Sequence, residues 1–525
     1  MQRFINTRNL QVIFVCLSLL ITALYTITTN HIWEDFYITF KHSKNLVDGN
    51  GLVYQPGERV HGFTSVINTI LPALFYWITG ESFIATIWLY RLASIMALVA
   101  GGLFFLREVQ KQYPQNLAVP LFFTLLFSFQ IKTIMFTTNG QEAGFMILFL
   151  LPSIVFAFNG FKTNWKWAGI FWAGLIYTRP DGPIYILILT IASLTLGQSK
   201  SKEELIAMAK TSLLCAILYL PWFIGAWLYY GSPIPHTITA KSGMGGSFSA
   251  DIIYSLQSII SLLPRVGIQV AEPTYHLFGG WPYWISVYAF ISWIICSIYW
   301  LIPSKDKLGR FVSLIYTLLI VYLSYLQFRG AVYPWYFPPA ETIAAFILSS
   351  AIFHISQKLI KSNIIPTYTV GTILLFLTST IFFMSLNQIK VQQEVIETNH
   401  RKEIGLWLNK NKENEDTVFL EPLGYIGYYS NAKMYDWPGL VSPKVVAAEK
   451  TKKPGQYAKI IATLKPSWLV LRPSTVQPLK INTWFKENYK VVKVFSVIDK
   501  LKKYENLAGI NYLYYDSIFI IYKKI

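Results

Sequence analysis

One polar stretch of the chain reads His31-Ile-Trp-Glu34-Asp35-Phe-Tyr37-Ile-Thr-Phe-Lys41, with two adjacent carboxylates near its start. A carboxylate can take a proton from a hydroxyl when burial or a neighbouring like charge raises its pKa. An acidic pair can equally do no more than mark a helix end, and residue types alone leave the two readings level. Thr138-Asn139-Gly140-Gln141-Glu142 and Thr178-Arg179-Pro180-Asp181-Gly182 are two further polar stretches. Arg179 and Asp181 suit a structural ion pair, and they also suit a guanidinium presented to a phosphate, whose geometry the planar fork matches. A fourth stretch runs from Tyr229 through Pro235-His236-Thr237 to Ala240-Lys241, and a fifth is Arg329-Gly330-Ala331-Val332-Tyr333-Pro334-Trp335-Tyr336. Aromatic residues at such places commonly form a membrane-interface belt. Arg91 and Lys132 fall near the same boundary, where snorkelling accounts for them. The histidines show no HExxH-type spacing, so no metal ligand is assigned, although a divalent metal stays open.

The elements that position these residues are mostly apolar helices. The chain has 525 residues, 53% hydrophobic and only 14% charged, against about a quarter charged in soluble domains. A spanning helix needs about 20 apolar residues. Eleven apolar runs are expected to span: 10–28, 83–106, 117–134, 141–159, 166–178, 183–197, 211–229, 283–302, 310–328, 335–356 and 366–386. The segment 62–80, broken by Pro72, is expected to be interfacial or re-entrant. The run at 10–28 follows Arg3 and Arg8 without a small-residue cleavage site, and is read as a retained first helix. Counted this way, the N-terminal segment and five short connections together carry fourteen Lys or Arg, including Lys162, Lys305 and Lys361. The positive-inside rule puts them on the cytoplasmic side, with the N-terminus. The polar stretches above, and a long loop at 230–282, then face outwards. The net charge of +18 is explained by these loops and not by nucleic acid. Cys16, Cys215 and Cys296 lie inside apolar runs, which excludes a disulfide framework.

Beyond Asn387 the apolar runs stop. The expected division is a transmembrane domain, 1–387, and a soluble extracytoplasmic α/β domain, 388–525. An amphipathic helix is expected at 390–410 and further helices at 443–450 and 456–464. Strands are expected at 417–420, 433–435, 468–471, 491–497 and 512–522. This part holds 22 basic and 13 acidic residues; a solvated surface explains the excess, as does attraction to anionic lipid or glycan phosphate.

The stretch from Glu34 to Ser65 resembles a bacterial GT-C glycosyltransferase signature. The matching steps are the acidic pair, Tyr37-Ile-Thr-Phe, Asn45-Leu46, Gly49-Asn-Gly51-Leu-Val53, Pro56-Gly57-Glu58-Arg-Val60 and Gly62-Phe63-Thr64. Shorter echoes follow in Gly140-Gln-Glu142-Ala143, in Thr178 to Gly182, in Tyr230-Gly231 with Pro235-His236-Thr237 and Ala240-Lys241, and in Gly424 to Ser430 and Asp436 to Leu440. Together they are similar to the mycobacterial terminal arabinofuranosyltransferase group. Two residues depart from the pattern: Glu34 stands where the first Asp is usual, and His236 where Asn is usual.

The resemblance implies a GT-C-like fold in the cytoplasmic (inner) membrane. It implies transfer of a sugar, with inversion, from a polyprenyl-phosphate carrier to an envelope glycan or glycolipid on the outer side. The lipid-linked sugar donor is the one cofactor it names, with a divalent metal left open. Asp35 is then the general base, since the extra methylene of Glu34 shifts its carboxylate by about 1.5 Å, and Glu34 is its orienting partner or alternate base. Arg179 and Lys241 would contact the donor phosphate. Tyr37, Glu142, Asp181, His236, Arg329 and Tyr333 would line the substrate pocket, although Glu142, Asp181 and Arg329 serve equally well to tie loops together. The rival reading is a transporter or flippase of a lipid-linked sugar. Such proteins place charges near mid-membrane and show paired repeats, whereas here the polar groups gather at helix ends. A third reading is a structural scaffold of an envelope assembly complex, against which the intact acidic pair argues.

Overall fold

The computed structural model describes residues 7–242, 252–330, 332–359, 365–449 and 457–525. Arg3, Ala331, Lys361 and the last residue of the helix expected at 443–450 lie outside the described residues. Each of the eleven apolar runs is helical. In chain order the helices are α1 (Thr7–Thr29), α2 (Glu34–Val47), α3 (Ile67–Ile78), α4 (Phe83–Gln112), α5 (Ala118–Phe127), α6 (Ile131–Thr138), α7 (Ala143–Asn159), α8 (Trp165–Thr178), α9 (Gly182–Leu196), α10 (Lys202–Tyr230), α11 (His236–Lys241), α12 (Ile252–Ala271), α13 (Tyr283–Ile298), α14 (Lys307–Phe328), α15 (Pro338–Leu359) and α16 (Ile365–Val391). Among the described residues, seven helices are long and apolar enough to cross a membrane, eight with the bent pair α5 and α6. Large apolar side chains such as Ile27, Ile84 and Leu228 face outwards from them, as they must where lipid is the solvent. The chain is built as a multi-pass membrane protein.

Four expectations change. The run at 117–134 is not one straight helix, because Gln130 is extended and α5 and α6 meet at 49°. The helices α7, α8 and α9 have 17, 14 and 15 residues, or about 21–26 Å at 1.5 Å per residue, short of a hydrocarbon core of about 30 Å. The loop 230–282 contains the 20-residue helix α12, packed on α13 and α14; its polar residues and Pro264 hide it from a search for apolar runs. The acidic pair does not lie in a loop but opens α2, which packs on α3.

Arg91 and Lys132 do not snorkel. Arg91 is 1% exposed and donates to the Thr138 carbonyl (2.8 Å), Asn30 Oδ1 (2.7 Å) and the His31 carbonyl (2.8 Å). Lys132 is buried and donates to the carbonyls of Gln269, Val270 and Glu272. Both satisfy backbone oxygens that would otherwise be stranded away from water.

From Thr367 to Asn411 the backbone is one continuous helix of 45 residues. It passes from α16 through a π-helical stretch, Gln392–Lys402, into α17 (Glu403–Asn411). The expected division at 387/388 falls inside it, so no flexible linker separates the two parts there. A five-stranded sheet follows, built from β1 (Thr417–Leu420), β2 (Lys433–Asp436), β3 (Trp468–Leu471), β4 (Tyr489–Ser496) and β5 (Ile518–Lys524). The strand order is β2-β1-β3-β5-β4; β1 is parallel to β2 and β3, and β5 is antiparallel to β3 and β4. The strand expected at 512–522 is corrected, since Ile510–Tyr515 is a helical turn and only Ile518 onwards pairs. A Tyr- and Ile-rich run fits either state until pairing decides.

Alternate residues of β1 face opposite sides of the sheet. Phe419 packs against the helix Tyr457–Leu464, whereas Val418 and Leu420 share a core with Ile38 of α2 and with Tyr54. The sheet therefore rests on α2, and α18 (Gly424–Ser430) packs directly against it. At Gly424 a Cβ would lie 2.0 Å from the Glu34 carbonyl oxygen, so only glycine permits this approach.

Candidate active site

Two contacts fix where α2 begins. Arg91 holds Asn30 and His31 at the end of α1, and the Trp33 N–H donates to the Asn139 carbonyl at 2.8 Å. Gly140, at φ +96°, lets that loop lie on Phe36, whose ring a Cβ would meet at 2.5 Å. Glu34 and Asp35 then occupy the first turn of α2, where the helix N-terminus favours negative charge.

The two carboxylates part company. Glu34 turns to the C-terminal part, where it accepts from Arg401 Nη1 at 2.7 Å and from the backbone N–H of Gly424. Burial pushes its pKa up, while Arg401 opposes the rise. Asp35 has no hydrogen bond or ion pair among the described residues and lines a cavity of about 400 Å³. Burial raises its pKa too, and Lys241 and then Arg401 partly offset the rise.

Lys241, in the last turn of α11, lines the same cavity. Its ammonium lies 4.4 Å from the centroid of Tyr333 and 5.5 Å from that of Trp335, with no carboxylate in ion-pair contact among the described residues. Burial lowers its pKa and Asp35 opposes this. Arg179 is differently placed. Its Nη1 lies 3.0 Å from Glu142 and its Nε 2.9 Å from Asp181, and its guanidinium sits 4.0 Å over Tyr336. Tyr322 donates to Asp181 at 2.9 Å and Asn68 to Glu142 at 3.5 Å. Arg179 is thus already countered by two carboxylates, whereas Lys241 retains its charge for a ligand.

The structure brings Asp35, Glu142, Arg179, Asp181, Lys241 and Arg329 to this one cavity. Tyr37 is not there; it is buried among Tyr425, Tyr428 and Tyr429 of α18. His236 opens the helix that carries Lys241, its N–H bonded to the His61 carbonyl at 2.8 Å, and does not line the cavity. Tyr333 lies under Lys241 and lines neighbouring spaces instead. Sequence reasoning passed over Trp335, Tyr322 and Arg401. The first two looked like belt and span residues. Arg401 had one local signal, its i,i+4 pairing with Glu397 (2.8 Å). Among the described residues, no group of three His, Cys, Asp or Glu is arranged to hold a metal ion.

The geometry has a pH consequence. Because Lys241 stabilises ionised Asp35, Lys241→Met is expected to raise the Asp35 pKa further. Any rate that needs the Asp35 carboxylate climbs with pH through that pKa, so the acid limb of the pH–rate profile should move to higher pH. An unmoved limb would mean that the two groups are not coupled.

A family model described as a domain of unknown function (DUF8728) matches residues 387–515. No curated protein matches the chain in sequence. Solved structures do resemble it. ArnT from Cupriavidus metallidurans bound to undecaprenyl phosphate superposes with a TM-score of 0.54 at 10% identity, covering 97% of each chain. The same protein in its apo state gives 0.55 at 10% identity with the same coverage. The arabinofuranosyltransferase AftD from Mycobacteria gives 0.52 at 12% identity, over 94% of this chain and 38% of that one. At these identities the likeness is one of fold, and the GT-C-like fold class expected from the sequence is the one observed.

Proposed function

We propose that the chain is a glycosyltransferase that moves a sugar from a polyprenyl-phosphate donor to a hydroxyl of an envelope glycan or glycolipid. The observation that carries this reading is that one cavity is lined by a carboxylate, Asp35, and an ammonium, Lys241, neither of them in an ion pair among the described residues. A phosphate bound near Lys241 would have its charge countered where it grows as the sugar departs. Arg329 would add to that field from the cavity wall, and Arg179, held by Glu142 and Asp181, would offer its remaining N–H groups. ArnT bound to undecaprenyl phosphate supports a donor of this kind.

Asp35 takes the proton of the acceptor hydroxyl as that oxygen attacks the anomeric carbon. The bond from the anomeric carbon to the phosphate oxygen breaks, and its electron pair leaves with the polyprenyl phosphate. One displacement inverts the configuration. The leaving phosphate needs no general acid, so one base suffices. Glu34 acts as a positioning residue, tying the first turn of α2 to Arg401. Tyr37 has the same role towards α18, and His236 towards α11. Tyr333 supports Lys241 from below.

The positive loops argue for a cytoplasmic N-terminus in the inner membrane, with residues 1–387 as the transmembrane catalytic unit. Residues 388–525 then form an extracytoplasmic unit over the site. The test uses membranes with the wild-type protein and a panel of radiolabelled polyprenyl-phosphate sugars. Transfer of label from one of them is expected. No turnover of any donor, with the lipids nonetheless bound, would favour a transporter and overturn the reading.

A further inference from the structure

Asp35 lines a second cavity as well, of about 240 Å³, between the ends of the helices and the sheet. Among the described residues, only Asp35 and Trp335 border both spaces. We propose that this second cavity is the acceptor site and that it takes the end of an uncharged polyhydroxyl chain, a neutral glycan, in preference to a phosphorylated one. The proposal rests on the transferase reading above and adds the class of acceptor.

Charge separates the two spaces. The first offers Lys241 and Arg329, neither in an ion pair among the described residues. The second is bordered by five carboxylates, Glu34, Asp35, Glu397, Glu421 and Asp516, against two guanidiniums. Both guanidiniums are spoken for. Arg401 meets Glu34, Glu397 and Asp516, and Arg472 meets Asp516 and Glu421. A phosphate entering here finds no uncommitted cation among the described residues. A hydroxyl finds acceptors: Glu421 gives Oε2 to Arg472 (3.1 Å) and Tyr457 (2.8 Å) and has no partner for its other oxygen among the described residues.

Aromatic faces supply the rest. Trp33, Tyr275 and Tyr512 form a ladder, with Tyr275 stacked on Tyr512 at 3.8 Å and 14° and on Trp33 at 6.0 Å and 9°. Such rings pack well against the C–H groups of a sugar, and the Tyr275 and Tyr512 hydroxyls bond to each other within the ladder. Tyr275 holds a left-handed backbone, φ +60°, a conformation that costs a non-glycine residue free energy and tends to persist where a site needs it. The ladder joins a loop of the helical part to the segment before β5, so neither part forms this wall alone.

The donor phosphate on one side of Asp35 and the acceptor hydroxyl on the other give the in-line arrangement that a single displacement needs. The test measures transfer from the labelled donor to an alkyl disaccharide and to its phosphorylated counterpart, with wild type, Tyr512→Ala and Glu421→Gln. Undecaprenyl phosphate binding is measured on the same preparations. Label should enter the neutral glycoside preferentially. Its KM should rise about tenfold or more in Tyr512→Ala, with undecaprenyl phosphate bound as in wild type, which also shows the variant folded. Equal or better use of the phosphorylated glycoside overturns the proposal. So does an unchanged KM in both variants, or labelling of the membranes' own acceptor with neither glycoside used. If wild-type membranes turn over no donor at all, the transferase reading fails first.

Discussion

Asp35→Asn is expected to lower sugar transfer by about 10²–10⁴-fold, the usual contribution of a positioned general base, while undecaprenyl phosphate still binds. The substitution is nearly isosteric and breaks no hydrogen bond or ion pair of the carboxylate among the described residues. Its effect is therefore chemical and not structural. Glu34→Gln provides the contrast. Glu34 accepts from Arg401 and Gly424, so losing its charge should lower thermal stability as well as rate. Turnover close to wild type in Asp35→Asn, with the fold intact, would remove Asp35 from the mechanism and return the question to Glu34.

Arg401→Met is expected to destabilise the protein by about 3–5 kcal/mol, the cost of leaving buried charges without their partner. Arg401 is buried and faces Glu34, Glu397 and Asp516 together. Burial alone would raise Asp516, but Arg472 and Arg401 hold its carboxylate far below the usual range. Burial likewise raises Glu397, against Arg401. Without Arg401 these groups favour the neutral form, so the loss of stability should shrink as pH falls from about 8 towards about 5. Thermal unfolding of the full chain in detergent at both pH values would check this. A deficit that does not change with pH would mean that lost packing, not stranded charge, explains it.

Local order in the chain was sufficient for much of this. Runs of apolar residues of the right length favour helix whatever surrounds them, and all eleven are helical, one as the bent pair α5 and α6. Short β-branched and aromatic runs marked β1 and β3 to the residue. The signature from Glu34 to Ser65 pointed to the acidic pair, and its shorter echoes pointed to Arg179 and to Lys241, before any coordinates. What it missed had weak local signals. In α12, polar residues and Pro264 interrupt the apolar pattern. The helical turn at Ile510–Tyr515 is as rich in Tyr and Ile as a strand. Arg91 and Lys132 are cations whose partners are carbonyls far along the chain.

The sequence by itself determined the apolar helices, the strands of the parallel core and the presence of an acidic pair beside cations at helix ends. Only the tertiary structure decided which members of those sets keep their charge available. Glu34 and Asp35 are neighbours of one type, yet the first is taken by Arg401, 367 residues away, and the second is not. Arg179 and Lys241 are both cations, yet Glu142 and Asp181 already counter only the first. Adjacent residues on a helix point about 100° apart. A one-residue step therefore separates a group that holds two parts of the protein together from one that faces an open cavity, and no local pattern records which is which.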